Sequence, residues 1–112
     1  MIIYVDIDET ICTHEARDIT KPVDYSLSTP IKDNIEKINK FYDEGHTIIY
    51  WTARGTLTGI DWSDITKKQF NNWGVKYHQL KFGKPHYDLL ICDKTFNPKE
   101  WNENINTSKT RI

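Results

Sequence analysis

Two carboxylates two residues apart, Asp6 and Asp8, follow the apolar run Met1-Ile2-Ile3-Tyr4-Val5, and Thr10 comes just after them. The run has the make-up of a buried strand. Strand residues two apart point to one side, so the two acids can converge where the strand ends. Acids sharing a site repel unless a proton or cation stands between them, and a hard divalent metal is the simplest remedy. Other groups of chemical use lie far off in sequence: Thr52 and Arg54 after a second apolar run, Lys84 within Lys81-Phe82-Gly83-Lys84-Pro85, and Asp93 after Asp88-Leu89-Leu90-Ile91-Cys92.

The elements that must position these groups alternate between strand and helix. Residues 11–29 read as irregular, with Pro22 and many polar residues, until Ser28-Thr29-Pro30 predicts a helix cap followed by proline at the first helical position. Ile31, Ile35, Ile38 and Tyr42 recur at near-helical spacing, and Gly45 suits a helix end. Residues 47–52, rich in β-branched and aromatic types without polar alternation, predict a strand covered on both sides. A second helix is expected over about 61–73, with Trp62, Ile65, Phe70 and Trp73 on one broad face and Gly74 as its stop. A short strand follows near 75–80, then a loop over 81–85, then a buried strand over 88–92 that ends at Asp93. Residues 97–101 suit one helical turn. The expected fold is α/β, a doubly wound, mainly parallel sheet with right-handed crossovers and ligands gathered beyond the strands' carboxyl ends. Every polar group named above lies at such an end or in a loop beside one.

Composition limits what can surround the site. The 112 residues make one domain, expected over 1–101 with a polar tail over 102–112, and such a chain buries about 65% of its unfolded surface. Fifteen basic residues oppose sixteen acidic ones for a net charge of −1, so no overall positive field draws the chain to nucleic acid or anionic lipid. No stretch approaches a membrane helix, and a soluble cytoplasmic protein is expected. Cys12 and Cys92 lack CxxC spacing, and reduced thiols are expected. Cys12, His14, Cys92 and Asp93 include zinc-type donors, but at irregular spacing. The four tryptophans suit core packing, with Trp62 the candidate for an exposed one.

The order Asp6-x-Asp8-x-Thr10, a hydrophobic strand ending in Thr52, Lys84-Pro85, and a hydrophobic strand ending in Asp93 resembles the haloacid dehalogenase superfamily of phosphatases, over residues 2 to about 101. Residues 47–55 and 83–88 also resemble a small capless branch associated with capsule and surface-sugar biosynthesis. The resemblance implies a Rossmann-like core and a Mg²⁺-dependent phosphomonoester hydrolase acting on a small phosphorylated sugar, polyol or related metabolite. In that reading Asp6 is the nucleophile that forms an aspartyl phosphate, and Asp8 is the general acid and base. The Thr52 hydroxyl and the Ala53 N–H hold phosphoryl oxygens, Lys84 bridges nucleophile and phosphoryl group, and Arg54 contacts a second substrate group. Mg²⁺ is held by the Asp6 carboxylate, the Asp8 backbone carbonyl and Asp93.

The metal motif departs from the family pattern. It reads Cys92-Asp93-Lys94-Thr95-Phe96-Asn97, with a thiol and an amide where further acids are common. Neither insertion point has room for a cap, so the site is expected to be open, bordered by a flap carrying Cys12, His14 and Arg17. A homo-oligomer is expected if the substrate is small. Three alternatives stand beside this reading: a nonhydrolytic binding domain, a receiver-like signalling domain, whose adjacent acids the Asp6-x-Asp8 spacing does not match, and a polynucleotide end phosphatase, which the near-neutral charge does not favour.

Overall fold

The computed structural model describes residues 1–14, 20, 21 and 23–102; Arg17, Pro22 and the tail over 103–112 lie outside the described residues. In chain order the elements are β1 (Ile2–Val5), β2 (Cys12–Thr13), a 3-10 turn (Tyr25–Leu27), β3 (Thr29–Pro30), α1 (Lys32–Asp43), β4 (Thr47–Trp51), α2 (Ser63–Trp73), β5 (Gln79–Lys81) and a 3-10 turn (Pro98–Asn102). A small α/β unit results, with a three-stranded sheet ordered β1-β4-β5 and parallel throughout. β2 and β3 form a separate two-stranded antiparallel ladder.

β4 is the middle strand, and Ile48, Ile49 and Tyr50 are all buried, so both of its faces are covered as the unbroken apolar run predicts. Phe70 of α2 meets Tyr50 edge-on at 4.8 Å between ring centroids, while Ile35 and Ile38 of α1 join the same core with Val5 and Ile7. Glycine ends α2 as expected, with Gly74 in the left-handed conformation at φ 69°. The ladder pairs Val5 with Tyr50 and Trp51 with Lys81, which brings the carboxyl ends of the three strands into line. Two backbone bonds extend this alignment: Thr52 N–H donates to the Lys81 carbonyl at 2.9 Å, and Lys84 N–H donates to the Thr52 carbonyl at 3.1 Å.

Four local expectations are corrected. α1 starts at Lys32 with Ile31 as its cap and no side-chain cap bond, because Thr29 and Pro30 are spent in the ladder with Thr13 and Cys12; the residue before a proline favours extended backbone, which suits that pairing. β1 pairs only with β4, so it is an edge strand with Ile2 70% and Tyr4 53% exposed. Residues 88–92 form no strand, and Leu89, Leu90 and Ile91 are exposed. A short apolar run carries strand propensity but does not specify a ladder partner, and this one finds none in the sheet. Trp62, expected at the surface, is half-buried against the Tyr25 ring at 5.0 Å. Among the described residues, no helix is long and apolar enough to cross a membrane.

The turn after β4 depends on Gly55, at φ 82°, where an added Cβ would fall on the Ile60 backbone oxygen. Gly55→Ala is therefore expected to lower unfolding free energy by about 1–3 kcal/mol from backbone strain alone. Urea denaturation checks this, and an unchanged midpoint would contradict it.

Candidate active site

Asp6 leaves the end of β1 half-buried, and the Lys84 ammonium lies 3.6 Å from its Oδ1. Lys84 reaches this point because its loop is tied to the strand end after β4: besides its backbone bond to Thr52, its carbonyl accepts a hydrogen bond from Thr56 Oγ1 at 2.8 Å. The ammonium also lies over the rings of Trp51 and Tyr87, 5.9 and 5.4 Å from their centroids, where ring quadrupoles attract a cation. Lys81, the alternative lysine, lies instead over Tyr4. Burial pushes the Asp6 carboxyl above the ordinary carboxylate range, the Lys84 charge offsets this only in part, and the Asp8 charge adds to the rise.

A tight reversal places Asp8. Thr10 and Ile11 both donate backbone N–H bonds to the Ile7 carbonyl, Glu9 N–H donates to the Cys12 carbonyl at 2.8 Å, and Glu9 takes a left-handed φ of 63°. The chain thereby brings Cys12 back beside Asp8 as β2 begins. The Asp8 carboxylate is gripped by Arg54 as a fork, with Nη2 2.9 Å from Oδ1 and Nε 3.1 Å from Oδ2. His14 Nε2 lies 3.0 Å from the same Oδ1, and Ser28 Oγ is 3.2 Å from the other ring nitrogen.

The expectation that Arg54 reaches outward to substrate is corrected, since its side chain is wholly buried. Besides Asp8 it donates from Nη1 to Gln69 Oε1 at 2.7 Å and Thr66 Oγ1 at 3.0 Å, and its guanidinium lies 4.7 Å from the Tyr25 ring centroid. Sequence reasoning missed Thr66 and Gln69. Their signal was present: with Trp62 and Trp73 they follow helical spacing, so two polar residues occupy the buried stripe of α2 and imply a polar group inside.

Thr52 is buried, and its Oγ1 accepts the Arg54 backbone N–H at 3.1 Å, which leaves its own proton to donate. Among the described residues no group accepts the Ala53 N–H. Asp93 is exposed, follows no strand, and has Cys92 Sγ at 4.0 Å as its side-chain neighbour. Asp6, Asp8, Thr52, Arg54 and Lys84 thus meet around the ends of β1 and β4; among the described residues, no hydrogen bond or ion pair joins Asp93 to them.

As for metals, the Asp6 carboxylate and the Asp8 backbone carbonyl are hard oxygen donors of the kind Mg²⁺ takes, with water and phosphate oxygens normally completing its shell. Among the described residues, Asp8, Cys12 and His14 offer ligand atoms within 4.8 Å of one another. This trio does not suit zinc. Burial pushes the Cys12 thiol up to about 12, with the Asp8 charge adding to the rise, and the Arg54 guanidinium, 2.9 Å from Asp8 and 3.7 Å from Cys12, already supplies the positive charge there.

No protein-family model matches the chain, and no curated protein matches it. A crystal structure described as an MCSG target from Vibrio cholerae is similar at a TM-score of 0.79 and 24% identity, over 98% of this chain and 93% of that one. The likeness supports the small α/β architecture and speaks to the fold alone.

The raised Asp6 value has a consequence for stability. A carboxyl whose folded value lies above its unfolded one costs nothing below the ordinary range near about 4 and destabilises the fold as pH rises through the folded value. In metal-free buffer, Asp6→Asn is expected to be more stable than the parent at pH 7, with the difference fading on acidification. Urea melts across the acid range check this, and a variant less stable at neutral pH would contradict it.

Proposed function

We propose that this chain is a Mg²⁺-dependent phosphomonoester hydrolase of the haloacid dehalogenase type, acting on a small phosphorylated metabolite such as a sugar or polyol phosphate. The observation that carries the reading is the meeting of Asp6, Asp8 and Lys84 at one strand end: a half-buried nucleophilic carboxylate, a second acid and a cation drawn from distant parts of the sequence. Those are the parts that phosphoryl transfer needs, since a phosphomonoester is a negatively charged and poor electrophile.

In the first half-reaction an Asp6 oxygen bonds to phosphorus as the bond to the alcohol oxygen breaks, and Asp8 gives its proton to that departing oxygen. In the second, water attacks phosphorus, Asp8 takes a proton from it, and the bond to Asp6 breaks to release inorganic phosphate. Lys84 offsets the charge brought by the phosphoryl group, and the Thr52 hydroxyl and Ala53 N–H donate to its oxygens. Mg²⁺, held by Asp6 and the Asp8 carbonyl, would neutralise phosphoryl charge and lessen its repulsion of the nucleophile. A cavity of about 180 Å³ between Arg54-Gly55-Thr56, Trp62 and Phe82-Gly83 adjoins the lysine loop. A second copy of the chain would wall off so open a site.

The exposed position of Asp93 favours one competing reading, a binding domain without strong metal affinity and without turnover. Assay of purified protein against a panel of phosphorylated metabolites separates the two. Phosphate release is expected with Mg²⁺, lost on chelation, and lowered by a factor on the order of 10³ or more in Asp6→Asn. Full turnover in that variant, or none in the parent with any ester, would overturn the phosphatase reading.

A further inference from the structure

We infer that Arg54 and His14 are positioning residues that fix Asp8 through its Oδ1 and reserve Oδ2 as the oxygen that exchanges protons with the leaving group and with water. The inference rests on the phosphatase reading and adds which atom moves the proton and which residues aim it.

The two carboxylate oxygens of Asp8 are not equivalent. Oδ1 has Arg54 Nη2 at 2.9 Å, His14 Nε2 at 3.0 Å and Cys12 Sγ at 3.4 Å around it. A carboxylate oxygen offers about two lone-pair sites, so Oδ1 is fully engaged. Among the described residues, Oδ2 has Arg54 Nε as its one hydrogen-bond partner, at 3.1 Å, and shares that N–H with Oδ1 at 3.3 Å. When Oδ2 carries a proton, Oδ1 can keep its bonds to Arg54 Nη2 and His14, so the carboxyl changes protonation without changing its place.

Both supports are themselves held. Arg54 cannot swing toward substrate because Thr66 and Gln69 take Nη1, and Gln69 Nε2 in turn donates to the Tyr25 carbonyl at 2.6 Å. His14 is braced by Ser28 at 3.2 Å and by the edge of the Tyr25 ring at 5.7 Å between centroids. With its side chain wholly buried, Arg54 acts on the reaction only through Asp8.

The proton balance is closed. Oδ2–H passes to the alcohol oxygen as its bond to phosphorus breaks, and the electron pair of that bond stays on the oxygen. Oδ2 then accepts a proton from the attacking water as the aspartyl phosphate opens, which restores the starting acid.

The test is the dependence on leaving group, measured with Mg²⁺ for 4-nitrophenyl phosphate, whose alcohol leaves without help, and glycerol phosphate, whose alkoxide needs the proton. Because kcat/KM ends at departure of the alcohol, it reads that proton donation. Parent protein, Arg54→Lys and His14→Asn are compared, with thermal midpoints recorded for each. Both variants are expected to lose kcat/KM on the alkyl ester, by about 10²-fold for Arg54→Lys and about 10-fold for His14→Asn, while staying within about threefold on the aryl ester. Lysine keeps the charge but not the fork, so full rescue by Arg54→Lys would overturn the inference. Equal losses on both esters would also overturn it, as the mark of a merely structural role. If Arg54→Lys does not fold, the smaller and partly exposed His14→Asn change decides by the same criterion. A parent protein idle on both esters would remove the phosphatase reading itself, and the inference with it.

Discussion

A guanidinium with no exposed surface, clamped on the carboxylate of Asp8, organises this molecule. Carrying an ion out of water costs several kcal/mol even after relaxation, and the cost is offset only when geometry is good and every remaining donor finds an acceptor. Arg54 meets that condition through Asp8, Thr66, Gln69 and the Tyr25 ring. Those partners come from four places: the turn after β1, two successive turns of α2, and the segment before β3. One side chain therefore joins the sheet edge, a helix and the flap, and the position of Asp8 follows from that joint.

The same arrangement accounts for the neighbouring carboxylate. Asp8 has a buried cation on its inner side, whereas Asp6 has an ammonium at 3.6 Å on a loop and a raised affinity for its proton. Two acids two residues apart thus sit in different environments, one beside a loop ammonium and the other against a buried guanidinium. The segment leading from β2 takes part as well, since His14 is a direct partner of Asp8 and not just a rim of the opening.

Much of this was legible in the sequence where local pattern and tertiary environment agree. Unbroken apolar residues 47–51 marked the middle strand, the Ile35 and Ile38 spacing marked the buried face of α1, and Gly74 marked the end of α2. The convergence of Asp6 with Lys84 was foreseen from strand-end placement and family resemblance together. Arg54 was read outward because a charged residue is normally at the surface, and its inward course depends on Thr66 and Gln69, twelve and fifteen residues away. Residues 88–92 misled for the complementary reason. Their composition favours a strand, but pairing is decided by which edge the rest of the chain offers, and that is not written in five residues.

The Arg54–Asp8 fork can be observed directly by side-chain ¹⁵N NMR of the arginine guanidinium groups. A guanidinium held on both sides cannot rotate freely, so Arg54 should give two separate Nη resonances in slow exchange, with the Nη2 and Nε signals shifting when Asp8 is replaced by asparagine while Nη1 stays held by Thr66 and Gln69. A single averaged Nη signal for Arg54 in the parent protein would mean that the fork is not held in solution, and the positions of Asp8 and His14 derived from it would be wrong.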